Sequence, residues 1–277
     1  MSRTTILAQV TDLHIRQPGK LAYGRLDTAP YLRRAVDAIG RLRQVPDAVV
    51  LTGDLTDFGR AQEYEHLASL LAPLAMPVYL MPGNHDDREQ MRRSFPSHAY
   101  LGTPEYLQYS VRVGDLRLVT LDTVTPGQSA GGLSRDRLDW LEQELAKDGT
   151  TPTIVAMHHP PFKTMIGHMD RIGLLQGAGD LEAIVSKHRN VERVICGHLH
   201  RTIIRRFGGT IASTCPSPAH QVALDLSGDA ASQWALEPPA FQLHAWNARD
   251  GLVTHVAAIG EYEGPFPFHE AGGALID

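Results

Sequence analysis

The chain has 277 residues, 43% hydrophobic and 21% charged, which excludes disordered and fibrous classes and allows a substantial core. A formal net charge of -5 excludes a general nucleic-acid surface, which needs clustered Lys and Arg to displace counterions from phosphates. A small anionic ligand would then be held by metal rather than by a basic field.

The first ten residues contain no long apolar run before a small-residue cleavage site. No later stretch reaches the ~18 apolar residues of a membrane span, so a cytoplasmic protein without membrane contact is expected. Apolar runs rich in β-branched residues follow at Ile6 to Val10, Ala48 to Leu51, Val78 to Met81, Leu116 to Leu121, Thr153 to Met157 and Val191 to Ile195. They are nearly continuous rather than alternating, the pattern of strands buried on both faces. Between them Leu32, Val36, Ile39 and Leu42 share one helical face, as do Tyr64, Leu67, Leu70 and Leu71, then Leu138, Leu141 and Leu145. Ser134 is the expected N-cap of the third helix and Asp180 that of a helix over Leu181 to His188. Alternating strands and helices predict an α/β sheet protein. Cys196 and Cys215 have no zinc-like or CxxC spacing and are expected to be reduced. After Cys215 prolines punctuate short alternating stretches, which predicts a boundary near 215 and a tail serving as lid, extra strands or oligomerisation element.

Five polar segments each follow a candidate strand, where open α/β sheets bind ligands. In Asp12-Leu13-His14 alternate residues of an extended segment point the same way, so carboxylate and imidazole can meet one cation. A capping Asp with a surface His is the plainer alternative for this pair taken alone. Leu51-Thr52-Gly53-Asp54 adds a second carboxylate, able to bridge two cations, with Gly53 allowing close approach. In Pro82-Gly83-Asn84-His85-Asp86, Asn84 offers a neutral amide oxygen that limits negative charge before an anionic substrate arrives. Gly83 permits a sharp turn, and His85 points elsewhere, free to act on substrate. Asp86 either orients His85 or caps the next helix. His158-His159-Pro160-Pro161 and Gly197-His198-Leu199-His200 supply imidazoles, the latter pair able to serve one metal each. His66, His98, His168, His188, His244, His255 and His269 are expected to be ordinary core or surface residues.

Together these segments resemble the calcineurin-like metallophosphoesterase superfamily over residues 12 to 200. Gly24-Arg25-Leu26-Asp27-Thr28, Pro82 to Asp87 and Met157 to Pro161 further resemble its bacterial branch of class III cyclic nucleotide phosphodiesterases and glycerophosphodiesterases. The resemblance implies a four-layer α/β/β/α sandwich with a C-terminal cap or oligomerisation appendage, residues 1–215 being catalytic and 216–277 the appendage. It implies one metal on Asp12, His14, Asp54 and His200, and a second on Asp54, Asn84, His158 and His198. The His-x-Pro pattern selects His158 over His159. Asn84, His85 and His200 would also meet substrate; His220 resembles a substrate-side histidine, with a turn histidine as the alternative. Oxygen and imidazole ligands suit Fe, Mn or Zn.

Two cations ~3.5–4 Å apart convert a bridging water to hydroxide near neutral pH and clamp the phosphoryl oxygens, with His85 as the group that acts on substrate. The first substrate expectation is a 3′,5′-cyclic nucleotide such as cAMP; the second is a glycerophosphodiester or a broad range of diesters. A non-catalytic scaffold is the alternative of another class, but a scaffold has no physical reason to keep a full ligand set and a free His85. Trp234, Phe241, Trp246, Tyr262, Phe266 and Phe268 in the tail predict a contact surface and a homodimer or higher assembly. The choice of diester is expected to lie around Gly24 to Asp27 and beyond Cys215.

Overall fold

In the first strand, Thr5–Val10, alternate side chains enter different cores, as the two-residue period of a strand requires. Leu7 packs with Val50 and Met81 against residues of a second sheet, while Ala8 and Val10 pack with Leu32, Val36, Tyr64 and Leu67 of two helices. The computed structural model, which describes residues 3–102 and 105–276, therefore has four layers. Helices Ala29–Gly40 and Ala61–Leu71 cover one sheet, and Arg135–Ala146 and Ala178–Lys187 cover the other. Met1, Ser2 and Asp277, at the outer ends of the two expected domains, lie outside the described residues.

The first sheet runs in the order Gly251–Ala258, Ala240–Asn247, Thr5–Val10, Ala48–Thr52, Val78–Met81. The last three are parallel, and Ala240–Asn247 pairs antiparallel with Thr5–Val10. The second sheet runs Ile204–Phe207, Thr210–Thr214, Val191–Cys196, Thr153–Met157, Leu116–Leu121, Tyr109–Val113, parallel inside and antiparallel at both margins. The six apolar runs are all strands of the two sheets. The parallel strands of both sheets end at one edge, and the five polar segments begin there.

Several expectations change. Of the roles expected for the tail, 240–258 takes that of extra strands: they extend the first sheet and cover the edge that Thr5–Val10 would otherwise offer to other chains. Of the described tail, 216–239 and the mostly exposed 259–276 lie outside both sheets, apart from the turn at 248–250. Leu42 falls just past the end of its helix, half-buried against the same core. Ser134 does occupy the N-cap, but its hydroxyl accepts from Arg137 Nε at 3.0 Å rather than from the backbone. Asp180 lies in the first turn of its helix, whose cap is Gly177 in the left-handed conformation. His244 is a core histidine as expected, its nitrogens meeting Thr254 Oγ1 at 2.8 Å and Gln9 Oε1 at 3.1 Å. Among the described residues no helix is long and apolar enough to cross a membrane.

Candidate active site

Seven non-glycine residues among those described have φ in the left-handed region, and five are Asp12, His14, Asp54, His198 and His200. Asp and His tolerate this region better than most, yet each instance costs on the order of 1–3 kcal/mol. Five together cost about 5 kcal/mol or more, against a net stability of about 5–15 kcal/mol for a domain, so the surroundings must lock them. The locks are backbone bonds between segments. Asp12 N–H donates to Gly53 O (3.0 Å), and Leu13 and His14 N–H both donate to Asp54 O (2.8 and 3.0 Å). Gly197 N–H donates to His158 O (3.0 Å), and His198 N–H to both Asp12 carboxylate oxygens (3.1 and 3.0 Å). The expected extended geometry of Asp12-x-His14 is thus replaced: paired left-handed residues aim the side chains, not strand alternation.

The two sheets bring the ligands together in halves. His14, His200 and His220 form one buried triplet and His158, His159 and His198 another, the ring nitrogens of each lying within 4.8 Å. Asp12, Asp54 and His158 form a third such group between them. Asp54 Oδ2 lies 3.7 Å from His14 Nε2 and 3.3 Å from His158 Nε2, so one carboxylate faces both halves. Asn84 Oδ1 is 3.2 Å from His158 Nε2, and Asp12 Oδ1 is 3.4 Å from His200 Nε2. His198 and His200 diverge, His198 toward His158 and His200 toward His14. His159 turns away, meeting Thr123 Oγ1 at 2.8 Å and Ser129 O at 3.1 Å.

Burial pushes the Asp12 carboxyl up to about 7, with His158 pulling down and Asp54 pushing further up. Burial also works against Asp54, but His158, His85 and His14 hold it well below the usual carboxylate range. Burial lowers His158, yet Asp54 and Asp12 lift it to about 9; His14 is likewise raised by Asp57, Asp54 and Asp12 against burial. Burial drives His198 and His220 down to about 3 and His200 well below its ordinary value, helped by neighbouring imidazoles. Two acids shifted in opposite directions are crowded carboxylates sharing few positive charges, a deficit that cations relieve.

The donor set fits such cations. His14 Nε2 and His198 Nε2 are buried without a hydrogen-bond partner. His14 Nδ1–H donates to Asp57 Oδ1 (3.2 Å), His158 Nδ1–H to Thr52 O (2.8 Å) and His200 Nδ1–H to His220 O (3.1 Å). Such outer bonds fix the tautomer and turn each Nε2 inward. Asp57, which the sequence reading passed over, is therefore a supporting residue. Asp57→Asn is expected to weaken metal affinity about 10–100-fold, measured by chelator competition with the fold checked by circular dichroism.

The Gly-Asn-His-Asp segment differs in detail from expectation. A Cβ on Gly83 would lie 2.2 Å from Asp54 Oδ1, and one on Gly53 would lie 2.4 Å from His158 Nδ1. Both glycines admit a neighbouring ligand side chain; Gly83 has no positive φ. Asp86 neither orients His85 nor caps the helix. It accepts from the N–H groups of Leu55, Thr56 and Gly83 and from Tyr64 Oη, tying this turn to the Gly53-Asp54 turn, while Asp87 caps the helix through Gln90 N–H. His85 Nδ1–H donates to Asp57 O at 2.8 Å, and among the described residues Nε2 has no hydrogen-bond partner.

A cavity of about 320 Å³ opens over these groups, lined by His14, Asp54, Asn84, His85, His198, His200 and His220. Tyr23, Ser129, His168, Met169, Ile172, Val222, Ser232, Gln233 and Trp234 complete its wall. A larger hollow of about 620 Å³ near Leu71, Tyr79 and Phe95 shares no residue with the polar segments. His220 is brought to the site, its Nε2 3.1 Å from Tyr23 Oη. Tyr23 adjoins the predicted Gly24–Asp27 region and Trp234 lies beyond Cys215, but nothing local to His168 marked it for the wall.

The family model of the calcineurin-like phosphoesterases matches residues 6–202. The chain belongs to this family. The phosphoesterase is 40% identical over 272 residues to an Arcobacter nitrofigilis protein named as a probable glycerophosphodiester phosphodiesterase GpdQ, covering 98% of this chain and 100% of that one. It is 34% identical over 270 residues to a Rhodopseudomonas palustris protein named as a probable cyclic nucleotide phosphodiesterase, covering 95% of each. A dimetal phosphatase from Danio rerio shares the fold with a TM-score of 0.63 at 15% identity, over 92% of this chain and 99% of that one. This phosphoesterase is thus an α/β protein with His and Asp clusters suited to metal at the convergence of its two sheets.

Proposed function

We propose that the chain is a dinuclear metal phosphodiesterase for small diesters, with glycerophosphodiesters first. The observation that carries the reading is the shared carboxylate: Asp54 faces two half-sites while His85 stands beside them with a free Nε2. Asp12, His14, Asp54 and His200 would hold one cation and Asp54, Asn84, His158 and His198 the other, as iron, manganese or zinc. Bound there, the metals supply Lewis acidity toward phosphoryl oxygens and an acidified water for attack near neutral pH. Asn84 keeps the site less negative for an incoming phosphate. With its Nδ1 proton held on the Asp57 carbonyl, His85 carries any second proton on Nε2, the atom that meets the phosphoryl oxygen or the departing alkoxide. His220 and Tyr23 offer polar atoms on the substrate side of the cavity.

The first substrate class is supported by the relative at 40% identity over the whole chain, including the 220–234 stretch of the wall. Cyclic nucleotides are a second reading, supported by Tyr23 and Trp234, whose rings lie 5.7 Å apart at a tilt of 33° and offer aromatic surface to a base. Manganese-loaded protein assayed on glycerophosphoethanolamine, cAMP and bis(p-nitrophenyl) phosphate separates them. Faster turnover of the glycerol diester than of cAMP is expected, the reverse favours the nucleotide, and turnover of none overturns both. Wild-type protein that folds but takes up no metal would return the scaffold reading.

Residues 216–239 then serve as the cap, and the two free cysteines accord with a reducing cytoplasm. The edge strand Gly251–Ala258 carries no Lys, Arg, Asp or Glu, and Tyr262, Phe266 and Phe268, which follow it in the chain, are exposed, apolar surface suited to a second copy of the chain. Sizing chromatography is expected to show a dimer or larger assembly, and a monomer at micromolar concentration would rule this out.

A further inference from the structure

His168 lines the cavity but has no part in the mechanism above, and we infer that it recognises a hydroxyl on an alcohol arm of the diester. The inference rests on the phosphodiesterase reading and adds a specificity residue to it. His168 is only 8% exposed, and its Nδ1 is buried with no hydrogen-bond partner. A buried polar atom left unpaired is costly, a cost that a ligand group admitted beside the ring would offset.

The segment that carries the ring is held by the protein's own contacts. Its short helix, Gly167–Asp170, is pinned by the Asp170 carboxylate, which accepts from Thr164 N–H (2.6 Å), Thr164 Oγ1 (2.9 Å) and Met165 N–H (3.1 Å). Ile166 and Met169 anchor it from below in a small core with Leu199 and Val222.

The surroundings select the ligand chemistry. Next to His168, Met169 and Ile172 of its own segment and Val222 packed on it give apolar surface for a carbon skeleton, while Ser129, Ser232 and Gln233 add polar atoms to the rest of the lining and the metal-facing cluster addresses the phosphate. Burial and the neighbouring Arg171 lower the His168 pKa, with Asp225 opposing them, so the ring is neutral near pH 7. A neutral imidazole has one donor and one acceptor, the complement of a hydroxyl group.

The test compares glycerophosphoethanolamine, which bears hydroxyls, with bis(p-nitrophenyl) phosphate, which bears none, on metal-loaded wild type, His168→Phe and His168→Gln. His168→Phe is expected to lower kcat/KM on the hydroxyl-bearing diester about tenfold more than on the other, chiefly through KM. His168→Gln, which keeps a donor and an acceptor, should recover most of that difference. An equal loss on both substrates, or no loss, overturns the inference while the phosphodiesterase reading stands. A wild-type enzyme that turns over neither substrate overturns both. Should His168→Phe fail to fold, the same ratio is read from His168→Ala.

Discussion

Asp54→Asn is expected to reduce the metal content from close to two per chain to one or fewer, and to lower kcat/KM on the order of 10³-fold or more. The reason is geometric. One carboxylate reaches toward both His14 and His158, and an amide of the same size offers one oxygen and an NH₂ group that cannot ligate. Because Asn retains the volume and an acceptor for the His85 N–H, the Gly83 turn packed against it should persist. Elemental analysis and steady-state kinetics on one preparation make the measurement. Retention of two metals with near-wild-type rates would mean that Asp54 is a structural turn residue.

His85→Ala is expected to behave in the opposite way, keeping its metal while kcat falls about 10²- to 10⁴-fold. His85 gives its backbone N–H to Asp54 and sets its ring edge-on to that of His14, centroids 4.7 Å apart, while its Nδ1 is held by the Asp57 carbonyl rather than turned to a ligand carboxylate. A leaving-group series distinguishes its two chemical roles. If Nε2 protonates the alkoxide, the loss is largest for glycerol or alkyl leaving groups and small for p-nitrophenolate, which departs without a proton. If it binds the phosphoryl oxygen instead, the loss is uniform across the series. A drop in metal content parallel to the drop in rate would count against both roles.

The site was legible where chemistry depends on residue type and strand order. A ligand must carry oxygen or imidazole, and a parallel α/β sheet delivers residues at the ends of its strands, so the candidate ligands follow apolar runs that do become strands. It was not legible where long-range packing chooses the conformation. The left-handed backbone at Asp12, His14 and His198 has no local marker such as glycine; it is held by bonds to residues far away in the chain. Asp86 shows the same limit. Its neighbours suggested a cap or an orienting partner, but its oxygens are taken by backbone groups about thirty residues earlier, with Asp87 left to cap.

The cavity wall lies furthest from local reading. Tyr23 comes from a loop, His168 from the short helix Gly167–Asp170, and Val222 and Trp234 from two short strands that pair at those residues; the 165–172 segment joins them by packing on Leu199 and Val222. The two strands at 240–258 likewise became part of the sheet through pairing with Thr5–Val10, which only the open edge of that strand invites.

By itself the sequence determined the chemistry of this protein: which atoms can bind metal, that glycines flank them, and that strands present them, because those properties belong to residue types and short-range periodicity. Only the tertiary structure decided how the candidate ligands group around Asp54, what holds His85, and which side chains line the cavity. Those outcomes depend on hydrogen bonds and apolar contacts between residues distant in the chain, which form when two sheets pack and have no signature within any one segment.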